Sequence, residues 1–231
     1  MKKILFALLI FSFQSVFANP YMENYEFTEE YEDIRNSKDT KFLKPNEKVT
    51  VRYIDGVEEY FNYLSEGYVA LGFSNFVSNS ASNQEAIEQA KKVKAPLVLI
   101  IKTLLDQSFN INNVPKQSTN QLFYNFDAAF LALDESYKQT TLGIQFSDLP
   151  HDLVKKYQRN TGILVFLVYK NGPAYRSNIL RDDVITQING REVWKDNFST
   201  ILNEEKSKAT PLKLTVIRDS TSKIIPVTLG W

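Results

Sequence analysis

Few side chains in this sequence could carry out nucleophilic or acid–base chemistry. The chain has 231 residues with one histidine and no cysteine, which excludes thiolate nucleophiles, disulfide frameworks and cysteine-based metal centres. His151 stands directly before Asp152. Adjacent residues on a helix do not face each other, so this pair cannot act as a general base and its orienting carboxylate. The Gly-x-Ser-x-Gly signature of a serine nucleophile is also missing from the sequence, and we therefore expect a protein that is not an enzyme.

Other polar groups that could suggest a binding site have simpler structural interpretations. Gly67 and Gly72 precede a cluster of Ser and Asn residues, but their spacing fits no nucleotide-binding loop. Ser74 and Ser82 are interpreted as turn and helix N-cap residues, because serine satisfies free backbone amides at such places. The acidic segment at residues 19–33 lacks the spaced ligands and central glycine of a calcium loop. The sequence therefore predicts no cofactor and no metal.

The two charge classes balance, with 27 Lys and Arg against 27 Asp and Glu. Nucleic-acid-binding proteins usually carry a basic excess, so we expect no nucleic-acid partner. Hydrophobic residues make up 43% and aromatic residues 13% of the chain, which is enough to bury a sizeable core. The composition predicts a folded protein of one large or two small domains.

The N-terminus has the layout of a secretory signal peptide. Lys2 and Lys3 precede an apolar run from Ile4 to Phe13, and cleavage is expected after Ala18. That run is too short to span a bilayer, which takes roughly 20 residues. We therefore expect residues 1–18 to be removed, the mature chain to have no transmembrane anchor, and the product to be periplasmic or secreted.

Residues 19–138 divide into an acidic, aromatic arm at 19–44 and a small α/β domain at 45–138. Within that domain, periodicity predicts alternating strands and helices. The predicted elements are strands at 48–53, 68–73 and 97–101 and helices at 57–66 and 83–93. The strand at 97–101 is expected to run parallel to the one at 68–73. The segment 122–137 fits a helix and a strand equally well, and residues 134–139 are polar enough to link two domains.

The last ninety residues contain a series of short motifs in a distinctive order. These are LGIQF at 142–146, GILVFLV at 162–168, NGPA at 171–174, DDVITQING at 182–190, a helix near 198–204, and strands at 212–218 and 224–229. The series resembles a PDZ domain, specifically the type attached to trypsin-like heat-shock proteases of the bacterial periplasm. The resemblance covers about residues 141–231, so we expect a PDZ domain at 139–231, and the catalytic half of those proteases is not recognisable in residues 19–140. The expected fold class is α+β, with a C-terminal PDZ-like β-barrel or sandwich and flanking helices after the small α/β domain.

Two positions depart from the usual PDZ pattern. Asn178 and Asp182 stand where the family usually has glycine. Asn and Asp are the non-glycine residues that adopt positive φ at least cost, so we expect both turns to be preserved.

The resemblance implies a site for peptides with hydrophobic side chains, above all the C-termini of other proteins. An edge strand near Gly143 to Ser147 would accept an extended peptide by strand addition, and the backbone amides around Gly143 would receive its terminal carboxylate. A helix would form the opposite, apolar wall. The predicted peptide-binding residues are Leu142, Gly143, Ile144, Phe146, Phe198, Ile201 and Leu202.

The leading functional hypothesis is an exported, non-enzymatic protein that binds termini or extended segments of partner proteins. The alternative is an enzyme or secreted effector whose activity lies in the N-terminal α/β domain, with the PDZ domain selecting the substrate. A further alternative is that the chain's own arm or linker fills the groove, because proteins commonly cover exposed sheet edges.

Overall fold

The computed structural model describes residues 19–105, 122–208 and 211–231. The expected signal peptide and its cleavage site fall largely in residues 1–18, outside the described residues. Two sheets organise the fold, one built from strands between residues 25 and 134 and the other from strands between 144 and 227. No helix in the described ranges is long and apolar enough to cross a membrane.

Among the residues that the structure describes, the N-terminal region has one sheet of six strands and four helices. The helices are α1 (Pro20–Glu23), α2 (Tyr31–Asn36), α3 (Val57–Ser65) and α4 (Asn83–Val93). The strands are β1 (Tyr25–Phe27), β2 (Thr40–Lys41), β3 (Thr50–Tyr53), β4 (Tyr68–Ser78), β5 (Leu97–Leu104) and β6 (Tyr124–Asp134). Their order is β1-β4-β6-β5-β3, with β2 also paired to β6. A 3₁₀ helix, Glu135–Gln139, leads to the second sheet.

The central strand β6 resolves the ambiguous segment at 122–137. It pairs antiparallel with both β4 and β5, so these two strands run parallel to each other but are not neighbours. Alternate residues of β6 face two hydrophobic clusters: Phe126 and Phe130 lie in one, and Leu131 lies in the other. A strand that is covered on both faces is apolar at nearly every position, and its sequence then fits a helical period as well.

The segment at 19–44, set apart above as an arm, belongs to this sheet. β1 pairs with β4, and the ring of Tyr21 is fully buried. The Ser74 hydroxyl donates a hydrogen bond to the Tyr21 carbonyl at 2.8 Å. Ser74 therefore lies inside β4 and not in a turn. Ser82 caps α4 as expected, in a reciprocal capping box with Glu85.

In the described part of the C-terminal region, one sheet of six strands is accompanied by three helices. The strands are β7 (Ile144–Asp148), β8 (Ile163–Val168), β9 (Val184–Ile188), β10 (Arg191–Glu192), β11 (Leu212–Arg218) and β12 (Thr221–Val227). The helices are α5 (His151–Tyr157), α6 (Pro173–Arg176) and α7 (Lys195–Glu205). The order is β12-β11-β9-β8-β7, with β10 paired to β9. Within the described ranges β7 and β12 are the two ends of this sheet, so it forms an open sandwich-like layer and not a closed barrel.

The turn after α6 has the backbone expected from the sequence. Asn178 and Asp182 adopt φ values of 57° and 69°, which confirms that they replace glycine at left-handed positions. A buried ion pair ties this turn to β11, because the Arg218 guanidinium donates to both carboxylate oxygens of Asp183 at 2.6 and 2.7 Å. Asp183 is only 1% exposed and also accepts the Leu180 N–H at 2.9 Å.

We expect the replacement Asp183→Asn to lower the free energy of unfolding by about 3 kcal/mol, because it leaves the Arg218 charge without its partner. Urea denaturation followed by circular dichroism measures this loss. The matched control is Asp219→Asn, at an exposed turn residue with φ of 51°, which should change stability by less than about 0.5 kcal/mol. Equal stability of the two variants would contradict a structural role for the buried pair.

Candidate functional site

Strand β7 is the edge of the C-terminal sheet. It pairs antiparallel with β8 along one side, and no strand in the described part of the chain pairs with its other side. The arm, which could have filled this edge, is placed elsewhere, because β1 and β2 pair with β4 and β6. The linker forms the 3₁₀ helix Glu135–Gln139 and does not pair with β7 as a strand. The edge is therefore available for pairing with another segment.

The register of β7 shows which backbone groups face outward. The Tyr169 N–H donates to the Gly143 carbonyl at 2.9 Å, and Ile144 lies opposite Val168. In an antiparallel ladder this bond brackets Ile144 and Val168 as a pair that does not exchange hydrogen bonds. The N–H and C=O of Ile144 therefore point away from β8, towards the open edge.

The loop before β7 is anchored from behind by its carbonyl groups. The Leu142 carbonyl accepts the Ala174 N–H at 2.9 Å, and the Trp231 indole Nε1 donates to the Thr140 carbonyl at 2.8 Å. The N–H groups of Leu142 and Gly143 have no acceptor among the described residues. Successive free amides of this kind can hold an anion such as a carboxylate.

Gly143 is required by the shape of this loop. Its φ is +74°, a left-handed value that side chains rarely adopt. An added Cβ would lie 3.1 Å from the Trp231 ring and 3.2 Å from the Gly172 Cα. A side chain at this position would therefore disturb both the loop and the C-terminal tryptophan behind it.

A narrow apolar pocket of about 250 Å³ opens between β7 and α7. The Phe146 and Phe198 rings lie 4.6 Å apart between their centroids. Phe198 is 1% and Leu202 is 6% exposed, so they form the buried floor of the pocket. The pocket is lined by Gln139, Thr140, Thr141, Leu142, Ile144, Phe146, Phe198, Ser199, Leu202 and Asn203.

The structure brings together five of the seven residues that the sequence singled out: Leu142, Ile144, Phe146, Phe198 and Leu202 line this one pocket. Gly143 shapes the adjoining loop, and Ile201 belongs to the hydrophobic core instead of the pocket lining. Whether these residues bind a peptide stays a prediction. Ser199 and Asn203, which the sequence analysis did not name, lie one turn apart on α7 at the rim; their spacing of four residues was the available signal.

The two halves of the molecule pack through α3. The Lys170 N–H donates to the Ser65 carbonyl at 2.8 Å, and the Phe61 and Phe166 rings lie 5.6 Å apart. Arg181 lies 4.2 Å from the centre of the Phe61 ring and contacts the Glu58 carboxylate at 2.6 Å. These contacts place α3 of the N-terminal half beside β8.

A second cleft, of about 840 Å³, lies between the two halves and also reaches β7. At its wall, Gln145 Nε2 donates to the Tyr169 hydroxyl at 2.6 Å, and burial raises the pKa of Tyr169. Burial alone would raise the pKa of Asp134 as well, but hydrogen bonds from Ser136 and Thr40 outweigh it and lower that pKa. Asp134 is therefore an anion and Tyr169 a neutral phenol near neutral pH.

The polar side chains that could take part in catalysis, His151, Asp152 and Ser74, do not form a common site. His151 and Asp152 are exposed at the start of α5, and Ser74 is buried with its hydroxyl bonded to a carbonyl. Among the described residues no group of three or more His, Asp or Glu side chains is arranged to hold a metal ion. Whether the chain is an enzyme stays a question for experiment.

Comparison with known proteins gives a family for the C-terminal region. Residues 140–229 match the family model of the PDZ domain. No curated protein matches the chain. Among solved structures, the HtrA3 PDZ domain bound to a phage-derived ligand is 27% identical, with 39% of this chain and 86% of that chain covered and a TM-score of 0.33.

Two other solved structures also match less than half of this chain. The HtrA-type protease AlgW with a decapeptide is 21% identical over 44% of this chain, with a TM-score of 0.32. This chain covers only 36% of that protease. The PDZ domain of EpsC from Vibrio cholerae is 18% identical, with 41% of this chain and 99% of that chain covered and a TM-score of 0.29. By its match to the family model, the region from residue 140 to 229 is a PDZ domain.

Proposed function

We propose that the protein is an exported, non-enzymatic binding protein that captures the C-termini or extended segments of other proteins by adding them as a strand to β7. The observation that carries this proposal is the outward-facing N–H and C=O of Ile144 beside an apolar pocket. A peptide laid along this edge satisfies those groups with its own backbone. Its terminal carboxylate is received by the free amides of Leu142 and Gly143.

The pocket beside α7 is the reason for proposing that the end of such a peptide carries hydrophobic side chains. Its floor consists of the Phe146 and Phe198 rings and Leu202, and a volume of about 250 Å³ accommodates one or two small aliphatic groups. We take about 0.5–1.5 kcal/mol per hydrogen bond and about 1.5–3 kcal/mol per buried side chain. After the cost of association, these contributions correspond to micromolar affinity.

The non-enzymatic part of the proposal is supported by the placement of Ser74. An enzyme in the N-terminal domain could use the Ser74 hydroxyl, but that hydroxyl is buried and donates to the Tyr21 carbonyl. Breaking this bond would leave a buried carbonyl without a donor, at a cost of about 1–3 kcal/mol.

Binding of fluorescein-labelled peptides with free C-termini, measured by fluorescence anisotropy, tests strand addition. We expect a peptide ending in Val-Ser-Val to bind with micromolar affinity. Blocking its carboxylate as an amide should weaken binding at least tenfold, because the loop amides lose their anion. Equal, negligible signals for free and blocked peptides across a C-terminal library would contradict the proposal.

Two pairs of variants locate the site. Ser199→Trp places an indole at the pocket rim and should abolish measurable binding, whereas Thr200→Trp changes the next, exposed position outside the pocket and should not. Gly143→Glu should also abolish binding. Its control is Gly190→Glu, which has φ of +82° with open space around the added Cβ. Loss of binding in both the variant and its control would contradict peptide binding between β7 and α7.

We also propose that residues 1–18 direct export and are removed after Ala18. Mass spectrometry of the protein from fractionated bacteria should give Asn19 as the first residue, in the periplasm or culture supernatant. The substitution Leu8→Asp interrupts the apolar run and should leave an unprocessed precursor in the cytoplasm. A wild-type chain that keeps Met1 and stays in the cytoplasm would refute export.

Asn19 can serve as the new N-terminus without loss of local structure. Its side chain caps α1 by accepting the Tyr21 and Met22 N–H groups at 3.0 and 3.3 Å. Its amide group donates to the Glu85 carbonyl at 2.8 Å. None of these bonds needs a residue before Asn19.

A further inference from the structure

The cleft between the two halves of the molecule shares strand β7 with the apolar pocket. Ile144 and Phe146 line both cavities, whereas Gln145 lines the cleft alone. Successive side chains of a strand point to opposite faces of the sheet. The pocket therefore lies on the face of Ile144 and Phe146, the cleft lies on the face of Gln145, and the open edge of β7 runs between them.

The charges that line this cleft all have the same sign. Glu30 and Asp33 are exposed on the segment that leads into and through α2. Asp134 is the third carboxylate, and no Lys, Arg or His lines the cleft. Neither Glu30 nor Asp33 forms an ion pair with a described residue, so both carboxylates remain available to a ligand.

A peptide strand on β7 would reach both cavities at once. Its last and third-from-last side chains would face the α7 pocket, because the terminal carboxylate is held at the loop beside that pocket. By alternation, its penultimate and fourth-from-last side chains would face the cleft and the carboxylates of Glu30 and Asp33. The Ile144 N–H and C=O face the open edge and can pair with a ligand strand, which is evidence for a ligand that does not depend on these charges.

From this geometry we infer that the N-terminal domain forms the second wall of the peptide site and selects Lys or Arg at the penultimate and fourth-from-last positions of the bound peptide. The inference rests on the proposed function and gives the N-terminal domain a role in it. Opposite charges across a partly open cleft attract, and this attraction is screened by salt. The selected ligand is thus a C-terminus in which hydrophobic and basic residues alternate.

Three labelled peptides with free carboxylates test the inference against the full chain: Ala-Ala-Lys-Val-Lys-Val, Ala-Ala-Ser-Val-Ser-Val and Ala-Ala-Glu-Val-Glu-Val. At low salt we expect the Lys peptide to bind roughly tenfold more tightly than the Glu peptide, with the Ser peptide between them. The advantage should shrink in 0.5 M NaCl.

A double variant and its control connect this preference to the cleft. Glu30→Gln with Asp33→Asn should reduce the difference between the Lys and Glu peptides to less than about threefold. Glu23→Gln with Glu88→Gln removes the same charge from exposed positions on α1 and α4 and should preserve the difference.

The outcomes separate the two proposals. Equal affinity for the three peptides, or a preference that survives the cleft variant, would overturn the selection of basic residues while leaving strand addition in place. Failure of all three peptides to bind would overturn strand addition and the inference with it. A tenfold preference that only the cleft variant removes would establish both.

Discussion

The proposed binding site depends on one constraint, the register between β7 and β8. The bond from the Tyr169 N–H to the Gly143 carbonyl fixes Ile144 opposite Val168 and turns the Ile144 N–H and C=O outward. A shift by one residue would turn these groups inward and would exchange the two faces of the strand. Ile144 and Phe146 would then leave the hydrophobic core, so core packing and the open edge select the same register.

The position of the N-terminal domain depends mainly on α3. Its exposed ion pairs with Arg181 and Lys170 contribute little, because solvated pairs stabilise a structure by about 0–1 kcal/mol. The aromatic contact between Phe61 and Phe166 and the backbone bond at Ser65 supply the more specific contacts. Because the 3₁₀ helix Glu135–Gln139 also joins the two halves over a short distance, the cleft walls are held by both covalent and packing constraints.

Much of the C-terminal region could be predicted from sequence because its motifs are local. Asn178 and Asp182 indicated left-handed turns because they replace the glycine usual in the PDZ pattern, and the spacing of Phe198 and Leu202 indicated one helical face. The start of α4 was also predictable, since serine is a favoured N-cap residue and Ser82 caps this helix. In each case a few neighbouring residues determine the backbone.

The features that were missed depend on contacts between distant residues. The insertion of β6 between β4 and β5 leaves no local signal, because a strand buried on both faces carries no alternation. Tyr21 was assigned to an arm, since its burial depends on Phe76 and Phe126, more than fifty residues away. The placement of Ser199 at the pocket rim also depends on how α7 packs beside β7.

An open edge strand carries a risk of unwanted pairing, and the structure limits that risk without closing the edge. β7 has five residues and ends at Asp148, whose carboxylate contacts the Lys195 ammonium at 3.2 Å. Short edge strands and charged side chains both hinder self-association. The N-terminal domain then restricts access from the second face of the sheet. On the proposed function, a segment that pairs with β7 would meet an apolar pocket on one face and an acidic cleft on the other. The walls that protect the edge would then also narrow the set of sequences that it accepts.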